Sequence, residues 1–238
     1  MTESDLVIER ERVEDAGDIL FLALNRPEKI NALTQAMLNR MNAALDEAER
    51  DDSIRVVVVY GRGPRGFCSG LDRAEMNDYA APTPQTRANV AEMYRTAKRL
   101  DLFPKPVVSL VHGHCIGAGT QIAMAADVII AAKGARISEP EMRMGGFADD
   151  DWLRRIGHLL GAVRAKRYLL LKEPLSGQEA ESLGMVSLLA ADDDLLATGR
   201  RVASEIAQMR PAIVERSLRL IDDGATGAPR AIFLAGRS

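Results

Sequence analysis

The sequence predicts an α/β fold whose strands are covered by helices. Three observations carry that prediction. Strand-like and helix-like segments alternate through the first half of the chain and beyond. Two valine-rich runs, VVVVY and VVSLV, lead into glycine-bearing turns, GFCSGLD at 66–72 and HGHCIGAGTQIAMAAD at 112–127. From Trp152 onward the pattern is almost wholly helical.

The opening reads strand, strand, helix, with strands at 6–9 and 19–24 and Gly17 in the turn between them. Arg26-Pro27 ends the second strand. Thr34 is placed to cap a helix on which Met37, Leu38, Met41, Ala44, Leu45 and Ala48 fall at helical spacing and define one buried face. Asp51-Asp52-Ser53 closes that helix. A strand at 56–60, the first glycine turn, a polar stretch with Pro82 and Pro84, and a helix over 86–100 repeat the theme. Lys105-Pro106 introduces the next strand. The second glycine turn leads into a helix from Gly117 or Ala118, which Asp127 ends before a strand at 128–132. Ser176 and Glu179 make a capping-box pattern ahead of a short helix that Gly184 terminates. A last short strand at 185–189 precedes two amphipathic helices over 194–209 and 211–221, and residues 231–235 form an apolar docking tail. The expected organisation is a core over 1–190 and a C-terminal helical segment over 191–238, with no low-complexity linker between independent domains.

With 238 residues and 47% hydrophobic content, the chain can bury a sizeable core. Its formal charge of −3 gives no broad basic field, which argues against nucleic acid as a partner. Both cysteines, Cys68 and Cys115, sit inside the glycine turns, a usage that suits a reducing cytoplasm better than a disulfide framework. MTESDLVIER lacks the basic-then-apolar pattern of a secretory leader, and no apolar run reaches the ~20 residues of a membrane span.

Each glycine turn can aim an unpaired backbone N–H into a shared cleft. Two converging N–H groups suit a carbonyl oxygen that becomes an enolate or tetrahedral oxyanion, and loss of one such donor costs about 2.7–4 kcal/mol of transition-state stabilisation. That points to carbonyl or thioester chemistry. Gly61 to Gly66 also reads G-x-G-x-x-G after a strand. A dinucleotide site is rejected there because Pro64 removes an N–H and no helix opens at Gly66. Arg62 or Arg65 is left either to meet a phosphate or to lie in a solvated loop. His112, His114 and Cys115 lack a fourth ligand at workable spacing, so no metal is expected. Cys68 and Ser69 have no local base to make either a nucleophile. Met76, Tyr79, Met93 and Tyr94 either pack the core or line an acyl tunnel.

Taken together, LNRPEKINAL, GFCSGLD, and GHCIGAGTQIAMAADVIIAA followed by Ser138-Glu139-Pro140-Glu141 resemble the enoyl-CoA hydratase/isomerase (crotonase) superfamily over residues 6–221. The resemblance implies a spiral of repeated strand-strand-helix units with a C-terminal helical region, assembled as homotrimers or dimers of trimers. It implies acyl-CoA thioesters as substrates, and no cofactor beyond the coenzyme A they carry. The oxyanion donors it implies are the N–H groups of Leu71 and Ala118, with Cys68, Gly70, Asp72 and Gly117 as neighbouring substrate-binding positions. Alanine in Gly117-Ala118-Gly119 keeps its N–H, and a helix start leaves that N–H free at the positive end of the dipole.

Hydratases of the family use two glutamates, whose positions here hold Gln121 and Glu141. Glutamine cannot accept a proton, so Glu141 ranks first as the proton-transfer group. Asp149 ranks second, at an offset that dienoyl-CoA isomerases and a dehalogenase branch use. Either carboxylate needs a dry pocket to tune it for work near neutral pH. The expected activity is enoyl-CoA hydration, with enoyl-CoA or dienoyl-CoA isomerisation and non-catalytic acyl-CoA binding as alternatives. The plainer alternatives are ordinary tight turns, a solvated Glu141 or one paired with Arg143, and an acidic helix cap at Asp149. The segment after the 211–221 helix is shorter than is common in the family, which leaves pocket closure looser or to a neighbouring subunit.

Overall fold

The computed structural model describes residues 4–76, 82–144, 150–171 and 173–226. It opens with an antiparallel pair, β1 (Leu6–Val13) and β2 (Gly17–Leu24). β1 runs past the expected end because exposed and half-buried residues keep alternating along it, and Arg10 and Arg12 both pair with the buried Asp18. Helix α1 (Gln35–Arg50) starts where Thr34 accepts the Met37 N–H at 3.2 Å, and it buries the predicted face. β3 (Ile54–Gly61) follows. Helix α2 (Pro84–Asp101) begins earlier than expected because Thr83 caps it, accepting the Thr86 N–H at 3.2 Å, with Pro84 at the first position.

The chain continues through β4 (Val107–Val111), β5 (His114–Ile116), α3 (Ala118–Met124), β6 (Val128–Ala132) and β7 (Arg136–Ser138) to a 3-10 turn at Glu141–Met144. Asp127 does not end α3, which stops at Met124; its carboxylate instead accepts the Val107 N–H at 2.8 Å and ties β6 to β4. Next come α4 (Asp150–Leu160), α5 (Ala162–Leu171), β8 (Leu175–Ser176), α6 (Gly177–Ser182), β9 (Leu188–Ala190), α7 (Leu195–Ala207) and α8 (Pro211–Thr226). The Ser176–Glu179 capping box is present at the start of α6. The apolar tail at 231–235 lies outside the described residues.

Six strands form the main sheet in the order β1-β2-β3-β4-β6-β9, and every pair beyond β1/β2 is parallel. β5, β7 and β8 make a second, three-stranded sheet. Alternation along the strands splits the core between the two faces of the main sheet. Leu20, Leu22, Val57 and Val59 join α1 and α3 on one face. Ile19, Phe21, Val56, Val58 and Leu110 face the other way, against Leu195, Val202, Ala203 and Ala207 of α7. Burial of each large aliphatic side chain contributes about 1.5–3 kcal/mol before the entropy of ordering is set against it. Among the described residues, no helix is long and apolar enough to cross a membrane.

Candidate active site

β3 and β4 are adjacent and parallel, so the chain leaves both at the same edge of the sheet and the two glycine turns emerge side by side. They are stitched together directly. Phe67 N–H donates to the His112 carbonyl at 2.9 Å, Cys68 N–H to the His114 carbonyl at 3.1 Å, and Ile116 N–H to the Cys68 carbonyl at 2.9 Å. On its other side the first turn is held by residues before α1. Leu33 N–H donates to the Gly70 carbonyl and Asp72 N–H to the Leu33 carbonyl, both at 2.8 Å. Those two bonds point at Leu33, so the intervening Leu71 N–H points away from it, and it donates to no described residue.

Ala118 opens α3, ahead of the first intrahelical donor, Gln121 N–H, which bonds the Gly117 carbonyl at 3.0 Å. Its own N–H is therefore one of the orphaned donors of a helix start, and it too has no acceptor among the described residues. The two turns meet here: a Cβ on Gly70 would lie 3.7 Å from the Ala118 nitrogen. Gly117 sits at φ 55°, ψ −121°, a conformation open in practice to glycine alone, and a Cβ on it would lie 2.8 Å from Glu141 Oε1. Gly119 is required by close approach, since a Cβ there would fall 2.6 Å from the Cys68 carbonyl oxygen.

Glu141 heads the 3-10 turn and reaches the same place. Its Oε2 accepts from Gln121 Nε2 at 3.0 Å. Burial pushes its carboxyl up to about 7, against the opposing pull of the Gln121 hydrogen bond. A carboxyl at that level exists in both protonation states near neutral pH, as a group that takes and returns a proton requires. Of the residues named from sequence, Gln121 and Glu141 meet through their side chains, and the turns that carry Leu71 and Ala118 lie against one another. Asp149 lies outside the described residues, as does Tyr79.

Two of the expected substrate contacts turn out to be supports. The Cys68 side chain is fully buried, its thiol is pushed up to about 12 by burial, and Sγ accepts the Gly70 N–H at 3.3 Å. It props the turn from beneath and offers a ligand no surface. The Asp72 carboxylate accepts the Ala74 N–H at 2.9 Å and the Arg26 guanidinium at 2.7 Å, which together hold it below its ordinary range. Arg26 also donates to the Ala32 carbonyl at 2.7 Å, so this ion pair clamps the first turn onto the segment before α1.

The rejected motifs have structural work of their own. In the 61–66 loop, Asn31 Nδ2 donates to the Arg62 and Gly66 carbonyls at 3.0 Å each, Arg62 pairs with Glu9, and Arg65 donates to the Glu28 carbonyl at 3.2 Å. The His112 ring nitrogen lies 2.7 Å from the Gly63 carbonyl. Met76 and Met93 are buried in the core.

Sequence reasoning passed over three residues here. Glu139 is buried with its Oε1 3.4 Å from Gln121 Nε2. The Tyr168 phenol of α5 comes into the same region: burial moves its ionisation to higher pH, the Cys115 thiol and Glu141 push it the same way, and Thr120 opposes them. Trp152 of α4 lines a small cavity with Tyr94, Ala97, Gln121 and Ala125. The proximity of Glu139 and Glu141 around Pro140 was the only sequence signal for any of them.

A family model described as enoyl-CoA hydratase/isomerase matches residues 14–227. The chain is similar to a short-chain-enoyl-CoA hydratase of Clostridium acetobutylicum, 29% identical over 212 residues that cover 89% of this chain and 80% of the relative. It is 33% identical to a 1,2-epoxyphenylacetyl-CoA isomerase of Escherichia coli over 191 residues, 79% of this chain and 72% of the relative. Among solved structures, an enoyl-CoA hydratase from Bacillus anthracis matches with a TM-score of 0.84 at 26% identity, over 93% of this chain and 83% of that one.

Proposed function

The chain belongs to the enoyl-CoA hydratase/isomerase family, and from that premise we propose that it adds water across the double bond of a 2-enoyl-CoA. The amides of Leu71 and Ala118 hold the thioester oxygen, so that charge pushed onto it is met by two fixed donors. As the water oxygen bonds to the β-carbon, its proton passes to the ionised Glu141, and the electrons of the double bond move towards the thioester to form the enolate. Glu141 then returns a proton to the α-carbon. The chemistry calls for no cofactor beyond the substrate's coenzyme A. The observation that carries this reading is a buried carboxyl poised at about 7 beside the glycine that opens onto Ala118.

A second reading is favoured by Gln121, which stands where a second proton-transfer group would be needed if Glu141 did not serve both steps. In that reading Glu141 moves one proton from the α- to the γ-carbon, as an enoyl-CoA or dienoyl-CoA isomerase does. Purified protein given crotonyl-CoA, a 3-enoyl-CoA and a dienoyl-CoA, beside Glu141→Gln, separates the two. Hydration of crotonyl-CoA that the variant loses supports the first. Turnover of the 3-enoyl or dienoyl substrate alone selects the second, and tight binding with no turnover would select a non-catalytic binder. Exposed apolar side chains on α5 (Val163, Leu171) and α8 (Ile213, Ile221) support a homotrimer or a dimer of trimers, and the buried free cysteines suit the cytoplasm.

A further inference from the structure

Glu139 is 3% exposed, a carboxylate carried into the interior by the turn after β7. Its Oε1 stands 3.4 Å from Gln121 Nε2, the same nitrogen that donates to Glu141 Oε2 at 3.0 Å. Ionised carboxylates only accept, whereas an amide has a donating end and an accepting end. With both glutamates ionised, the state in which Glu141 takes a proton from water, they leave the amide a single orientation, with one NH2 hydrogen to each glutamate and the carbonyl oxygen turned away. Gln121 Oε1 is left buried with no partner among the described residues. An amide oxygen kept in that condition destabilises the site until something donates to it. Gln121 also lines the small cavity shared with Tyr94 and Trp152.

We propose that Glu139 is a positioning residue: it claims the second hydrogen of the Gln121 amide and so presents the Gln121 carbonyl oxygen as acceptor for an O–H of the adding water. This rests on the hydratase reading above. The site then keeps two carboxylates, with the second one moved from α3 to the β7 turn and acting through an amide. Neither the proton count nor the bonds of the reaction change; Glu139 fixes the angle from which water approaches.

Glutamine at position 139 could accept from Gln121 or donate to it, so either orientation of the Gln121 amide would be satisfied. Glu139→Gln is therefore expected to lower kcat on crotonyl-CoA about tenfold or more, while KM and the Kd for butanoyl-CoA, which has no double bond, stay within about twofold. Gln121→Leu should lose at least as much, and the double variant no more than Gln121→Leu alone, because both changes act through one amide. Wild-type kcat in Glu139→Gln, or losses that multiply in the double variant, would overturn the proposal. If the wild-type protein hydrates no enoyl-CoA, the hydratase reading fails by itself. The hold on the amide is then judged in protein labelled with 15N-glutamine. The Gln121 NH2 pair, identified by its loss in Gln121→Leu, should shift in Glu139→Gln, and an unmoved pair would overturn the positioning role.

Discussion

Glu141 shows how burial trades stability for chemistry at a single residue. Its carboxyl rises from the ordinary 4.5 to about 7 in the folded protein, so between those values the folded state binds more protons than the unfolded one. Stability from this group is therefore greatest at low pH and is lost as pH rises through about 7, a penalty on the order of 3 kcal/mol. Glu141→Gln removes the charge. It should be more stable than wild type in denaturant titrations at pH 8, with the gap closing towards pH 5, although its kcat falls by about 100-fold or more. In the intact enzyme kcat/KM for hydration should rise with pH as Glu141 ionises and level off above about 7. Its importance was legible from Pro140-Glu141 and the resemblance. That Glu139 joins it through the Gln121 amide was not, because that depends on α3, β7 and the 3-10 turn meeting in space.

At the scale of elements, the contact between α3 and the first glycine turn is the sensitive joint. Gly119→Ala places a Cβ 2.6 Å from the Cys68 carbonyl oxygen and 2.7 Å from the Cys68 Cβ, so α3 must move off the turn. Since that shift separates the Leu71 and Ala118 amides, kcat/KM should fall by roughly a hundredfold or more, measured on protein whose far-UV circular dichroism is unchanged. A contrasting joint lies on the far face of the sheet, where a Cβ on Gly199 of α7 would stand 2.5 Å from both Leu110 methyls. Gly199→Val is expected to cost about 1–3 kcal/mol in denaturant melts while leaving kcat within about twofold. The long elements were legible because capping residues and periodic apolar faces announce them, as Thr34 and the α1 face do. β5, β7 and β8, with three, three and two residues, carry no periodic signal. They exist because they pair with one another across long stretches of chain, β5 with β7 and β7 with β8, while Cys68 and Gly113 supply further backbone partners to β5 and β7.

Over the whole molecule, parallel order turns two separate sequence motifs into one site. β2, β3, β4 and β6 lie side by side and parallel, and the connections after β3 and β4 are the two glycine turns. The alternation of strand and helix made that layering legible, but which face α7 would cover was not, since its apolar stripe fits either side of a sheet buried on both. Asp149, the second-ranked acid, falls outside the described residues, so the site as drawn stands on Glu141 with Gln121 and Glu139 behind it. Everything functional depends on the Leu71 and Ala118 amides addressing a single oxygen. A crystal structure with butanoyl-CoA bound tests this most directly. The thioester oxygen is predicted to lie about 2.7–3.1 Å from both nitrogens, with the α- and β-carbons facing Glu141; a thioester oxygen beyond hydrogen-bonding reach of either amide would contradict it.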